Sequence, residues 1–164
     1  MGSCSYNKCS REEMCVELNS SPVCVKLGCR HKQYTFDEMT KTCFRILTTP
    51  LLRWRDASEY CKQDGARLIK LDTREKNDLI TEALINVVVD SHLWTGYHDH
   101  GDLYYWNDGS ELRRDSYKNW GYLQPDNNDP DCNAWRVNCI TIQNNGKWFD
   151  SCCNLEKGFI CEII

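Results

Sequence analysis

The chain has 164 residues, twelve cysteines and a formal net charge of −4. That length fits one medium domain with a small appendage, and the acidic balance argues against a nucleic-acid partner, because a phosphate backbone calls for a basic face. An even cysteine count in a segmented pattern reads as a disulfide framework and sets the chain in an oxidising, extracellular compartment.

Residues 1–28 stand apart from the rest. Met1-Gly2-Ser3 reads as a scar of expression and no signal peptide is visible. The expectation is a mature secreted protein or a receptor ectodomain. Cys4, Cys9, Cys15 and Cys24 fall in a polar stretch with almost no apolar periodicity. Such a piece cannot bury a core and needs staples, and four cysteines allow three pairings. Their spacing resembles an EGF-like or follistatin-type hairpin module, which implies Cys4–Cys15 and Cys9–Cys24. Asn19-Ser20-Ser21 is a glycosylation sequon.

From Cys29 to residue 164 the character changes. Tyr34, Phe36 and the run Cys43-Phe44-Arg45-Ile46-Leu47 have strand composition. Trp54, Ala57, Ser58 and Cys61 recur at helical spacing, with Gly65 as the stop. A second helix starts near Asp72-Thr73-Arg74-Glu75, with Asp72 and Thr73 as capping candidates. Leu79, Ile80, Ala83, Leu84 and Val87 form its buried stripe. Leu93-Trp94-Thr95-Gly96 reads as a short buried strand. From about residue 98 to 138 the chain is rich in Asp, Asn, Gly, Tyr and Trp and shows no sustained period, and an irregular stretch of that length in a compact domain is usually functional. Two strands near 139–142 and 158–163 close the chain.

Several function classes drop out. Cys152 and Cys153 are adjacent, which is poor spacing for a zinc knuckle. The longest apolar run falls short of the roughly 18 residues that a membrane span needs. No G-x-S-x-G, H-E-x-x-H or P-loop pattern occurs, and His92, His98 and His100 have no evident metal or catalytic partner. An enzyme is not expected, and the histidines read as structural or surface residues.

Residues 29–164 resemble a C-type lectin-like domain. The matching motifs are Trp54-x-x-Ala57-x-x-x-Cys61-x-x-x-Gly65-Ala66-x-Leu68, Trp94-Thr95-Gly96-Tyr97 and Trp106-Asn107-Asp108-Gly109-Ser110. They continue through Tyr117-x-Asn119-Trp120, Gln124-Pro125-Asp126 and Trp148-x-Asp150-x-x-Cys153 to Cys161-Glu162. The resemblance implies an α+β fold of two helices, small antiparallel sheets and a long irregular loop. It also implies the bridges Cys29–Cys43, Cys61–Cys161 and Cys139–Cys153. Cys132 and Cys152 then remain and pair with each other if every cysteine is bridged. That extra staple would tie the loop to the strand carrying Asp150 and reduce the ordering cost of binding.

The resemblance also implies a calcium site that holds a sugar. Gln124 and Asp126, flanking a cis-proline, and Asp150 match family ligands by position. Calcium takes six to eight oxygens, so this set is short. Phe149 stands where an Asn is expected, Val137 where a Glu is expected, and Asn138 follows in place of an acid. Asp129 and Asp131 lie in the same loop and are candidates to compensate. Asp99, Asp102 and Asn127 fall near accessory calcium positions, with solvated loop acids as the plainer reading. The Gln-Pro-Asp order and the loop length to Cys139 go, in the family, with terminal galactose or GalNAc. Trp135 or Tyr122 is the aromatic candidate to stack on the sugar, although Trp135 packing under the loop serves as well.

Two functions follow as expectations. One is a secreted or ectodomain lectin, calcium-dependent and galactose- or GalNAc-binding. The other is a lectin-like module without sugar binding that recognises a protein, a mineral or another surface. Weak single sites work through multivalency, so an oligomer fits either, though no heptad repeat is present to build one.

Overall fold

The computed structural model describes residues 9, 13–18, 21–26, 28–29, 31–85, 87, 92–99, 104–127, 132 and 138–163. Strands β1 (Glu13–Leu18) and β2 (Ser21–Lys26) form an antiparallel hairpin as a sheet of their own. Cys9 is bridged to Cys24 as expected. Cys15 is disulfide-bonded, and its expected partner Cys4 lies outside the described residues.

The main sheet is built on β4 (Thr42–Leu52), where Thr42, Phe44 and Leu47 turn inward. It pairs with β3 (Thr35–Asp37) on one side and β10 (Lys157–Ile163) on the other. β10 is buried over its central residues and also meets β5 (Ala66–Leu68) and β6 (Leu93–Asp99), the latter in parallel at Phe159↔Trp94. The sheet continues antiparallel through β8 (Asn138–Ile142) to β9 (Trp148–Cys152), and the short β7 (Tyr104–Trp106) pairs with β6. Three of these elements depart from expectation. β6 runs on to Asp99 rather than ending at Gly96, β7 interrupts the stretch read as irregular, and β9 forms around Asp150, where the resemblance places a strand end that composition does not mark.

Helix α1 (Trp54–Gln63) buries Ala57, Ser58 and Cys61, and Cys61–Cys161 ties it to β10. Just past the helix end and its C-cap Asp64, Gly65 takes a φ of +66°, which suits a residue without a Cβ. Helix α2 (Arg74–Ile85) starts on Thr73, whose hydroxyl oxygen accepts the Lys76 N–H at 3.2 Å. The second capping candidate, Asp72, is engaged otherwise, 3.7 Å from Lys70 and 3.9 Å from Lys76. Ile80 and Leu84 enter the core, with Leu79, Ala83 and Val87 packed at its margin.

Cys29–Cys43, Cys139–Cys153 and Cys132–Cys152 are all formed. Glu162 of β10 is 2% exposed and holds two cations, Arg67 Nε at 2.8 Å and Lys76 Nζ at 2.7 Å. A buried carboxylate is retained only when its charge is answered in this way. Among the described residues, no helix is long and apolar enough to cross a membrane.

Candidate functional site

The site hangs from Trp148. Its indole is 1% exposed and donates from Nε1 to Asn77 Oδ1 at 2.7 Å. The rings of Tyr97, Trp106, Tyr117 and Trp120 surround it. A buried indole N–H needs such a partner, which explains the polar Asn77 on the inner face of α2. β9 is the last strand of the sheet, so alternate backbone groups face outward. The Asn119–Gly121 segment covers the first of them: Trp148 N–H donates to Asn119 O at 2.9 Å, and Gly121 N–H donates to Trp148 O at 2.8 Å.

Phe149 packs its ring on Gly121 so closely that a Cβ there would lie 2.5 Å from the Phe149 Cζ. His92 meets the same ring edge-on at 4.9 Å. The Thr141 hydroxyl donates to Phe149 O at 3.1 Å, so His92 Nδ1, 2.9 Å away, donates to Thr141. His92 Nε2 then accepts from the Gln143 amide at 2.7 Å. Burial pushes the His92 pKa down and the nearby Lys157 adds to this, which keeps the ring neutral. His92 is thus structural, and His98 packs against Trp54 at 4.7 Å.

Beyond Gly121 the chain turns sharply. Gln124 N–H donates back to Gly121 O at 3.2 Å, and Leu123 takes a φ of +59°. The Gln124–Pro125 bond is cis, as the family resemblance implies. The turn brings Gln124, Asp126 and Asp150 together. Asp150 Oδ1 accepts the Asp126 N–H at 3.1 Å and Oδ2 accepts the Asn127 N–H at 2.8 Å. The Asp150 N–H in turn donates to Gln124 Oε1 at 3.2 Å.

Asn127 locks the far side of this loop. It has a φ of +51°, a conformation Asn tolerates. Its Oδ1 accepts from Asn138 Nδ2 at 2.6 Å and from the Tyr104 hydroxyl at 3.2 Å. Burial raises the Tyr104 pKa to about 12, with the charges of Asp150 and Asp99 adding to it. Burial likewise pushes up the Asp150 carboxyl. The Asp126 and Asn127 N–H bonds oppose that rise and the Asp126 carboxylate adds to it. The site is therefore an oxygen-rich cluster in which the carboxylates of Asp126 and Asp150 lie close to one another.

The remaining expected residues fall as follows. Tyr122 is 88% exposed beside the cluster. Asp99 is not a solvated loop acid: it is 4% exposed, in β6, opposite Tyr104. Asp129, Asp131, Trp135, Val137, Asp102 and His100, with Asn19 of the sequon, lie outside the described residues. The Asn127–Asn138–Tyr104 lock was not anticipated from the sequence. Its only signal is the pair of amides at positions where the family has ligands.

Calcium fits this donor set in kind: Gln124, Asp126 and Asp150 offer one amide and two carboxylate groups, all hard oxygens. In number the set is small. Among the described residues, no three His, Cys, Asp or Glu side chains gather as a metal-holding group.

Fold and site define a class, a disulfide-stapled α+β domain whose long connection carries an oxygen-rich cluster. Residues 51–163 match the Lectin C-type domain family, and the chain belongs to that family. Asialoglycoprotein receptor 2 of Mus musculus is 30% identical over 111 residues, covering 68% of this chain and 35% of that protein. C-type mannose receptor 2 of Homo sapiens is 28% identical over 129 residues, covering 77% of this chain and 8% of that one. Among solved structures, the mouse scavenger receptor C-type lectin carbohydrate-recognition domain superposes with a TM-score of 0.68 at 26% identity, covering 82% of this chain and 97% of that one. The chain thus spans about a third of the asialoglycoprotein receptor 2 that it matches, at 35% of its length.

Proposed function

We propose that this chain is an extracellular, calcium-dependent lectin domain that binds terminal galactose or GalNAc on glycans and acts in recognition rather than catalysis. One observation carries the reading: Gln124 and Asp126, on either side of Pro125, are hydrogen-bonded to Asp150, so the three candidate oxygen ligands share one place. Lectin C-type domains generally bind calcium. Gln124, Asp126 and Asp150 would hold the ion here, and the ion would accept two neighbouring sugar hydroxyls. The side chains around it then sort those hydroxyls by donor and acceptor, since carboxylates only accept while an amide does both. The similarity to an asialoglycoprotein receptor supports the galactose-type preference. Tyr122, exposed beside the cluster, supplies an apolar ring to the sugar face. The division into an EGF/follistatin-like module over 1–28 and a lectin domain over 29–164 belongs to the same proposal.

Phe149 favours a second reading, a lectin-like module that recognises a protein, a mineral or another surface. Its ring offers no oxygen and is committed to Gly121 and His92. The missing amide leaves a ligand hydroxyl unpaired, which costs on the order of 1–3 kcal/mol. A thermal melt with and without millimolar calcium separates the two, because an ion that binds only the folded state raises the midpoint. The lectin reading expects a rise, followed on a glycan array by galactose and GalNAc signals above mannose. An unchanged midpoint sinks it.

A further inference from the structure

The turn at Tyr122-Leu123 is costly in two separate ways. Tyr122 is 88% and Leu123 74% exposed, so two large apolar side chains stand side by side in water. Scattered exposed apolar residues need no explanation, but adjacent ones beside a binding cluster do. Leu123 also has a φ of +59°. In the hydrogen-bonded turn from Gly121 to Gln124 it occupies the third position, where glycine or asparagine is unstrained and a branched side chain is not. Among the described residues, both side chains remain largely in water.

The turn is also rigid. Gly121 is fixed by Trp148 O and by the Phe149 ring, and Gln124 is fixed by Asp150. Tyr122 and Leu123 are therefore presented in place, immediately before the Gln124-Pro125-Asp126 cluster. A ligand that reaches both features has a hydroxyl-rich end for the oxygen cluster and an apolar portion joined to it.

We propose that Tyr122-Leu123 is a subsite for an apolar group attached to the bound sugar, so that the preferred ligand is a glycoside with an alkyl or aryl aglycone. This rests on the sugar-binding reading above and adds to it the chemistry of the ligand's other end. Rigid exposed apolar groups bind at low entropic cost, which makes the strained leucine useful where a glycine would only relax the turn.

The experiment compares methyl β-galactoside with octyl β-galactoside, below its micelle concentration, by calorimetry on the full chain in calcium. The wild type binds the octyl glycoside at least about tenfold more tightly. In Leu123→Asn that ratio falls toward one, while the melting midpoint of the free protein rises by about 2–4 °C because the turn is relieved. The paired result separates a ligand-contacting leucine from a structural one, whose replacement lowers the midpoint. Equal affinities for the two glycosides in the wild type overturn the inference and leave the lectin reading standing. Absence of binding to either overturns both.

Discussion

The side-chain oxygen of Gln124 accepts the Asp150 backbone N–H at 3.2 Å. Outward-facing groups recur at every second residue of an edge strand, and on β9 these are Trp148 and Asp150. A backbone carbonyl, that of Asn119, takes the first, and a side chain takes the second. Gln124 therefore does the work of a neighbouring strand, and it does so with an amide oxygen that carries two lone pairs.

Asp126 tests that division of labour. Its carboxylate adds to the rise in the Asp150 pKa, while its backbone N–H holds Asp150 in place. Replacing Asp126 with Asn keeps the N–H and removes the charge. The calcium-free variant should melt roughly 1–2 °C higher at neutral pH, and the calcium-dependent rise should vanish. Paired melts with calcium and with chelator measure both, and a retained rise removes Asp126 from the ligand set.

Phe149→Asn should separate stability from affinity. The variant loses the ring that packs on Gly121 and against His92, at a cost of about 1–2 kcal/mol for a partly buried aromatic. It gains an amide beside Asp150, which should strengthen galactose binding. Urea unfolding and calorimetric titration read the two effects separately. Unchanged affinity would make position 149 purely structural.

Acid should weaken the fold through Asp108. Burial alone raises its carboxyl, but hydrogen bonds from the Ser110 hydroxyl and the Lys70 ammonium outweigh that and hold it well below the usual carboxylate range. A carboxyl depressed in the folded state contributes stability that is complete above its unfolded pKa, about 3.9. That contribution is lost as pH falls through the lower folded value. Unfolding free energy should decline below about pH 4, and Asp108→Asn should start lower at neutral pH and decline less. Parallel slopes would mean that other acids carry the effect.

Much of the fold is legible because its cysteines and tryptophans stand at fixed spacings. Trp54, Ala57 and Cys61 mark α1, and the expected Cys132–Cys152 staple is formed. β9 shows only through the resemblance and not through composition, because an edge strand flanked by a loop carries an acid, Asp150, in its middle rather than an apolar alternation. β7 is three residues inside a polar stretch, too short to show a period. In the site, Gln124, Asp126 and Asp150 can be read from spacing, but the donors that bind them together are backbone N–H groups, which every residue has. Thr73 and Asp72 are equal caps on paper, and only the neighbouring Lys70 and Lys76 decide between them.

The seat of Phe149 on Gly121 sets rules for anyone who would retarget this domain. A library varied at 122 can change what the loop meets without disturbing how it is held, whereas each residue at 123 must also adopt a φ of +59°. A change at 121 cannot be made alone, since any side chain there displaces the ring. Positions 121 and 149 would have to be exchanged as a matched pair, glycine with a large ring or a larger residue with a small one.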